Sequence, residues 1–213
     1  MTIKFITIQG NIGSGKSTII RHLKKTYGHK KNICFLQEPV DIWNTITDTD
    51  GTPMISLYYE NQQKYAFSFQ MMAYISRLSI LKKVVEDGYD YIISERSLET
   101  DKHVFAKMLY DEKKINHVEY QIYLKWFDEF QYILPKEHIV YIKTVPNIAY
   151  ERVNKRARQG ENIPIEYLEK CHKYHEDWIR HYRYTLLIDG NIDIHTQPDK
   201  INDWTKDIID FLH

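Results

Sequence analysis

Ile3-Lys4-Phe5-Ile6-Thr7-Ile8-Gln9-Gly10-Asn11-Ile12-Gly13-Ser14-Gly15-Lys16-Ser17-Thr18 is the stretch on which the fold turns. The run Ile3–Ile8 is apolar and β-leaning, and Thr18-Ile19-Ile20-Arg21-His22-Leu23 reads as a helix. Between them Gly10–Thr18 has the spacing of a complete phosphate-gripping loop. Strand, glycine-rich turn and helix in that order make a nest of backbone N–H groups closed by a helix N-terminus, both of which favour anions. Lys16 is expected to reach the outer phosphates and the Ser17 hydroxyl to help hold Mg²⁺. A chance match in an ordinary turn would lack the flanking strand and helix. The loop therefore predicts binding of a nucleoside triphosphate.

The chain has 213 residues, enough for one α/β unit with a substantial core and too few for two generous ones. Lys+Arg and Asp+Glu balance at 29 each, which disfavours a partner such as polymeric nucleic acid. The two cysteines, Cys34 and Cys171, supply neither a disulfide framework nor a Cys-rich zinc site. His172, His175 and His181 crowd one expected helix and, without further ligands, read as surface histidines. No stretch approaches the roughly 20 apolar residues of a membrane span. The first strand begins too early for a leader peptide, so a cytoplasmic setting is expected unless a presequence was trimmed.

Further strands are expected at Ile33–Leu36, Tyr89–Ser94, His138–Ile142 and Leu186–Ile188. A helix without Pro or Gly is expected from Ile55 to Glu86, with others around Leu98–Tyr110, His117–Tyr132, from Pro146, up to about Tyr184, and from Lys200 to Leu212. Strands alternating with helices imply a parallel sheet whose ligands sit at the carboxyl ends of the strands. Polar residues fall at those ends. Glu38 follows the second strand, where a carboxylate suits orienting an alcohol and accepting its proton, or is an ordinary exposed acid in a turn. Glu95 and Arg96 follow the third, in position for Mg²⁺ and phosphate, or as a structural pair. Tyr59, Gln70 and Arg77, 11 and 7 residues apart, fall within roughly 40° on one helix face with Ala73 beside them. They read as a wall for a small polar molecule, with Gln70 offering the paired donor and acceptor of a base reader, or as ordinary polar interruptions. Arg152, Arg156 and Arg158 make either a lid over triphosphate or a solvated basic helix.

Taken together, Gly10–Thr18, Glu38-Pro39-Val40-x-x-Trp43, Tyr59, Phe69-Gln70 through Ser76-Arg77, Glu95-Arg96-Ser97 with Asp101, Arg152 to Glu161, Tyr167-Leu168-Glu169-Lys170-x-His172 and His175-Glu176-x-Trp178 resemble the deoxyribonucleoside kinases over nearly the whole chain. The resemblance implies an α/β P-loop kinase fold, a five-stranded parallel sheet flanked by helices with a helical arginine-rich lid at about 152–163, all in one domain spanning 1–213. It implies transfer of the γ-phosphoryl of ATP or another nucleoside triphosphate to a deoxyribonucleoside 5′-hydroxyl with Mg²⁺, by a homodimer acting in nucleotide salvage. On this likeness Glu38 is the base, with Arg96 and Lys16 completing the catalytic set. Gly10, Asn11, Ile12, Gly13, Ser14, Gly15, Lys16, Ser17, Thr18 and the three lid arginines hold the donor, whose base enters the loop Gly190–Ile194 at Asp193. Ser17 and Glu95 serve the metal. Gln70 pairs with the nucleoside base, Tyr59 and Glu161 hold the 3′-hydroxyl, and Ile12, Val40, Trp43, Ile55, Phe69 and Phe105 wall the pocket.

Ala73, Arg77 and Asp101 resemble the deoxycytidine and deoxyguanosine kinase branch; the thymidine-preferring branch carries uncharged residues at the last two. The sequence departs from the family where Gly160 stands in place of an acid, where the lid is one residue short before Pro164, and at Ile192, commonly acidic. Two rivals are a nucleoside monophosphate kinase such as a thymidylate kinase, and a GTP-dependent switch. The first would need cations for the acceptor's phosphate where Glu38 stands; the second lacks an Asn-Lys-x-Asp guanine reader. An Arg–Asp pair fills the space a thymine methyl needs, so Arg77→Met with Asp101→Ala is expected to open the pocket to thymidine. Thymidine phosphorylation rates of parent and double variant check this, and an unchanged rate refutes it.

Overall fold

Short runs of Ile, Val, Phe and Tyr recur between helices, and in the computed structural model, which describes residues 3–158 and 160–211, five of them pair into one parallel sheet. The strands are β1 (Lys4–Gln9), β2 (Ile33–Leu36), β3 (Tyr91–Glu95), β4 (Glu137–Lys143) and β5 (Thr185–Asp189), in the order β2-β3-β1-β4-β5. The helices are α1 (Lys16–Tyr27), α2 (Val40–Asn44), α3 (Met54–Glu60), α4 (Gln62–Glu86), α5 (Leu98–Thr100), α6 (Lys107–Asp111), α7 (His117–Phe130), α8 (Pro146–Arg156), α9 (Ile165–Ile179) and α10 (Lys200–Asp210). A π-helical segment, Asp101–Ala106, joins α5 to α6.

β1 is central, in register with β3 through Lys4↔Tyr91 and with β4 through Phe5↔Glu137. Its side chains alternate between two covered faces, as a buried parallel strand requires. Ile6 and Ile8 join Ile20 and Leu23 of α1 and Ile208 of α10. Phe5 joins Tyr74 and Leu81 of α4, Leu98 of α5, and Tyr123 and Phe127 of α7. The chain leaves β1 toward β2 and β3 on one side and later returns to β4 and β5 on the other. That reversal opens a crevice at the carboxyl end of β1, where such folds bind ligands. Gly10–Gly15 turns there, with Gly10, Gly13 and Gly15 all at positive φ.

Several expectations are corrected. The helix read from Ile55 to Glu86 is two helices, because Asn61 takes φ −143° and ψ 81° and its side chain accepts from Lys64 N at 3.1 Å, capping α4. The helix read around Leu98–Tyr110 contains the π segment, and the one read to Tyr184 ends at Ile179, leaving His181 outside it. His175 is not at the surface but fully buried; its Nδ1–H donates to the Cys171 carbonyl at 2.7 Å, and burial, with help from the Arg96 charge, pushes its pKa down to about 3. The lid segment is helical to Arg156, stops at left-handed Ala157, and continues without helix to Pro164; Gln159 lies outside the described residues. No helix among the described residues is long and apolar enough to cross a membrane.

Gly13 shows how tightly the loop is seated. Its φ is +81°, and a Cβ there would collide with the backbone carbonyl of Ala149 in α8. Gly13→Ala is expected to lose about 1–2 kcal/mol from the left-handed backbone alone, and more from the collision. Urea unfolding with and without ATP checks it, with a lower midpoint and a smaller nucleotide-induced stabilisation expected.

Candidate active site

The crevice holds a cavity of about 960 Å³ lined by residues that follow β1, β2, β3 and β5 and by α8. At its donor side Gly13, Ser14, Gly15, Lys16, Ser17 and Thr18 form the floor. Lys16 is buried, its Nζ donating to the Asn11 carbonyl at 2.7 Å, and burial, then the nearby Arg96 charge, brings its pKa down to about 7. Ser17 Oγ donates to Glu95 Oε1 at 2.8 Å, so a hydroxyl and a carboxylate oxygen stand together beside the phosphate floor. Such hard oxygen donors suit Mg²⁺, which takes few protein ligands and completes its shell with water and phosphate.

Glu38, just past β2, occupies the middle. Arg96 pairs with its Oε1, and Arg77 Nη2 approaches the same oxygen at 3.4 Å. Burial alone would raise the Glu38 pKa; the two guanidiniums, with Lys16, overcome it and hold the carboxyl near 2. Arg77 is committed elsewhere too, donating to Asp101 Oδ2 at 2.9 Å and to the Glu95 carbonyl at 2.8 Å. Arg96 has φ 60° and lies 5.0 Å over the Phe105 ring.

The opposite side of the cavity is a largely apolar slot with the amide of Gln70 in its wall. Val40, Trp43, Ile55, Tyr59, Phe69, Ala73, Asp101, Phe105 and Ile12 line it. Trp43 is anchored by Nε1–H donating to Ser76 Oγ at 2.9 Å. Gln70 is buried in the wall, and its Oε1 has no partner among the described residues. A buried amide oxygen left unpaired is costly unless a ligand completes it.

Most of the expected residues therefore meet in one cavity, including Tyr59 although it stands on α3 rather than on the helix of Gln70. Three do not line it. Arg77 stands behind the wall on the far side of Asp101, Gly10 lies beneath the loop, and the Asn11 side chain turns away to donate to the Leu168 carbonyl at 2.8 Å. The lid arginines line the cavity but are occupied. Arg152 donates to the carbonyls of Gly190 at 2.7 Å and Ile192 at 3.2 Å, which ties α8 to the loop containing Asp193. Arg156 and Arg158 both pair with Glu161, the latter at 2.8 Å. Gly160 has a physical reason to lack a side chain, since a Cβ there would run into Ser56 of α3.

Sequence reasoning missed Tyr58 and Tyr167, which line the cavity with their hydroxyls 2.8 Å apart, Tyr58 stacking on Phe69 at 4.4 Å. The unrecognised break at Asn61 concealed the first. It also missed His195 and Trp204 at the donor end, where the sequence offered only a loop and an amphipathic helix.

The sequence profile of the family described as deoxynucleoside kinase matches residues 6–213, and the chain belongs to that family. Among characterised proteins it is similar to a mitochondrial deoxyguanosine kinase of Xenopus laevis, 31% identical over 84% of this chain and 74% of the relative. It is also similar to the deoxycytidine kinase of Homo sapiens, 32% identical over 84% and 76%. A probable deoxycytidine kinase of Fowlpox virus is 33% identical over 99% of this chain and 89% of its own.

Proposed function

We propose that this protein transfers the γ-phosphoryl of a nucleoside triphosphate to the 5′-hydroxyl of a deoxyribonucleoside, accepting deoxycytidine, deoxyadenosine and deoxyguanosine ahead of thymidine. One observation carries the reading: a half-buried carboxylate, Glu38, lies between the floor formed by the glycine-rich loop and a slot where the buried Gln70 Oε1 has no partner among the described residues. A neutral alcohol fits beside that carboxylate, whereas an acceptor phosphate would be repelled, and the cations near it are already matched by Glu38 and Asp101. A nucleoside monophosphate kinase is therefore not favoured.

In the mechanism Glu38 orients the 5′-hydroxyl and takes its proton as the oxygen attacks. Its low resting basicity comes from Arg96 and Arg77, so transfer is coupled to drawing the Arg96 guanidinium, which lines the cavity, toward the charge that develops on the phosphoryl group while Arg77 stays on Asp101. Lys16 leaves the Asn11 carbonyl for the outer phosphates. Ser17 and Glu95 would hold Mg²⁺, which supplies charge neutralisation between donor phosphates. Arg156 and Arg158 exchange Glu161 for phosphate, freeing Glu161 for the 3′-hydroxyl with Tyr59. The 190–194 loop, braced by Arg152, takes the donor base. Gln70 pairs with the acceptor base while the Arg77–Asp101 pair sets its preference. The single domain spans the chain, with a lid at about 152–163, and a cytoplasmic setting suits its two unpaired cysteines.

The homodimer belongs to this proposal as well. Val118, Ile122 and Trp126 recur along one stripe of α7, which packs on α4, where Ile75 is also exposed. An apolar stripe of this kind asks for a partner, and a second copy is the simplest one.

Glu38→Gln is expected to lower turnover by about 10²–10⁴ while nucleoside affinity changes little. Steady-state rates on the four natural deoxynucleosides with ATP and Mg²⁺, alongside binding titrations, check this; equal losses in both would make Glu38 a binding residue. Trp126→Glu is expected to convert dimer to folded monomer, read by sedimentation velocity with circular dichroism as the control.

A further inference from the structure

Gln9 is the last residue of β1 and is fully buried, yet its side chain ends in an amide. A buried amide is stable where both of its ends find partners. Both do, and both partners belong to one turn. Gln9 Nε2 donates to Ser97 Oγ at 3.2 Å, and Gln9 Oε1 accepts from Thr100 Oγ1 at 2.6 Å. Ser97 and Thr100 are themselves buried and form the capping box that starts α5. The Ser97 hydroxyl accepts from Thr100 N at 3.4 Å, and Thr100 Oγ1 accepts from Ser97 N at 3.1 Å. That box closes without Gln9. What Gln9 adds is a tether from the cap to β1.

The residue just ahead of the cap is Arg96. Its φ of 60° is one that a non-glycine residue keeps only where its surroundings impose it. β1 holds this residue from both sides. Arg96 N donates to the Ile8 carbonyl at 3.1 Å, and the next residue, Ser97, is held by Gln9. The guanidinium then reaches Glu38 and, at 3.5 Å, the Gly10 carbonyl, while lying over Phe105. Its Nε has no partner among the described residues, so the direction of the side chain depends on the turn from which it hangs and on Phe105. Phe105 belongs to the π-helical segment that continues α5, so the same cap positions that ring as well.

We propose that Gln9 is a positioning residue for Arg96: by tying the Ser97–Thr100 cap to the end of β1, it holds the left-handed turn that aims the Arg96 guanidinium at Glu38 and at the start of the glycine-rich loop. Gly10 follows Gln9 directly, so the strand that delivers the loop also fixes the arginine facing it. Without the tether the cap still forms, but the turn is free to shift against β1, and Arg96 meets Glu38 in only part of the molecules. The slot walled by Trp43, Ile55 and Phe69 stands on other elements and stays in place.

The kinetic consequence rests on the kinase reading; the effect on Arg96 does not. Gln9→Met keeps the length of the side chain and removes both bonds. Turnover, nucleoside KM and the ¹⁵N heteronuclear NOE of Arg96 Nε are measured for parent and Gln9→Met, with circular dichroism as the folding control. Gln9→Met is expected to lose about tenfold in turnover with KM within about twofold, and to lower the Arg96 NOE. The same substitution is then made in an Arg96→Ala background, where no guanidinium is left to aim. There it is expected to cost less than about twofold, because residues that act through one another do not have additive effects. A folded Gln9→Met with parental turnover, an equal loss in both backgrounds, or an unchanged Arg96 NOE overturns the proposal. If Arg96→Ala has no measurable turnover, the NOE decides. If Gln9→Met fails to fold, Thr100→Val, which removes the shorter of the two bonds, is read by the same criteria. A parent without kinase activity sinks the functional reading, while the NOE still judges Gln9.

Discussion

The ion pairs on Glu38 are the constraint to which the rest of the site is fitted. A carboxylate at this depth is stable only because Arg96 and Arg77 approach one of its oxygens, and each arginine is itself held by something rigid. Arg77 is fixed by Asp101 and the end of β3, Arg96 by the strand end and the turn behind it. The acid thus links β2, β3 and α4 with the first turn after β1. Its cost is low basicity at rest, and its return is a preorganised charge pattern that needs no rearrangement of solvent when phosphate arrives.

The resting arrangement satisfies most of the charged groups of the site internally. Lys16 is on a loop carbonyl, Ser17 on Glu95, Arg156 and Arg158 on Glu161, and Arg152 on two carbonyls beyond β5. Gln70 differs, because its buried carbonyl oxygen has nothing to accept from among the described residues. The unmade bond stands in the apolar slot, and the charged groups are paired with one another or with backbone carbonyls.

Much of this was legible from the residues. Gly10–Thr18 dictated strand, loop and helix, and alternating apolar runs gave five parallel strands with Glu38, Glu95 and the 190–194 loop at their carboxyl ends. The slot lining was legible only through the resemblance, since Trp43, Phe69 and Phe105 look like any core aromatics. Other features depend on tertiary contacts that no spacing reports. Asn61 breaks a helix that has neither Pro nor Gly, because its side chain substitutes for a backbone acceptor. His175 looks like a surface residue by type, yet α9 turns it inward against Tyr141 and Phe105.

The place of β1 has a consequence for biogenesis. Its two neighbours begin 87 and 132 residues further along the chain, as Lys4↔Tyr91 and Phe5↔Glu137 record. The strand made first at the ribosome therefore waits, both edges bare, until β3 has been synthesised. Contacts of such long sequence separation fold slowly and leave apolar edges open to wrong pairing. The placement that puts the glycine-rich loop at the centre of the sheet thus leaves the nascent chain most exposed to aggregation at β1.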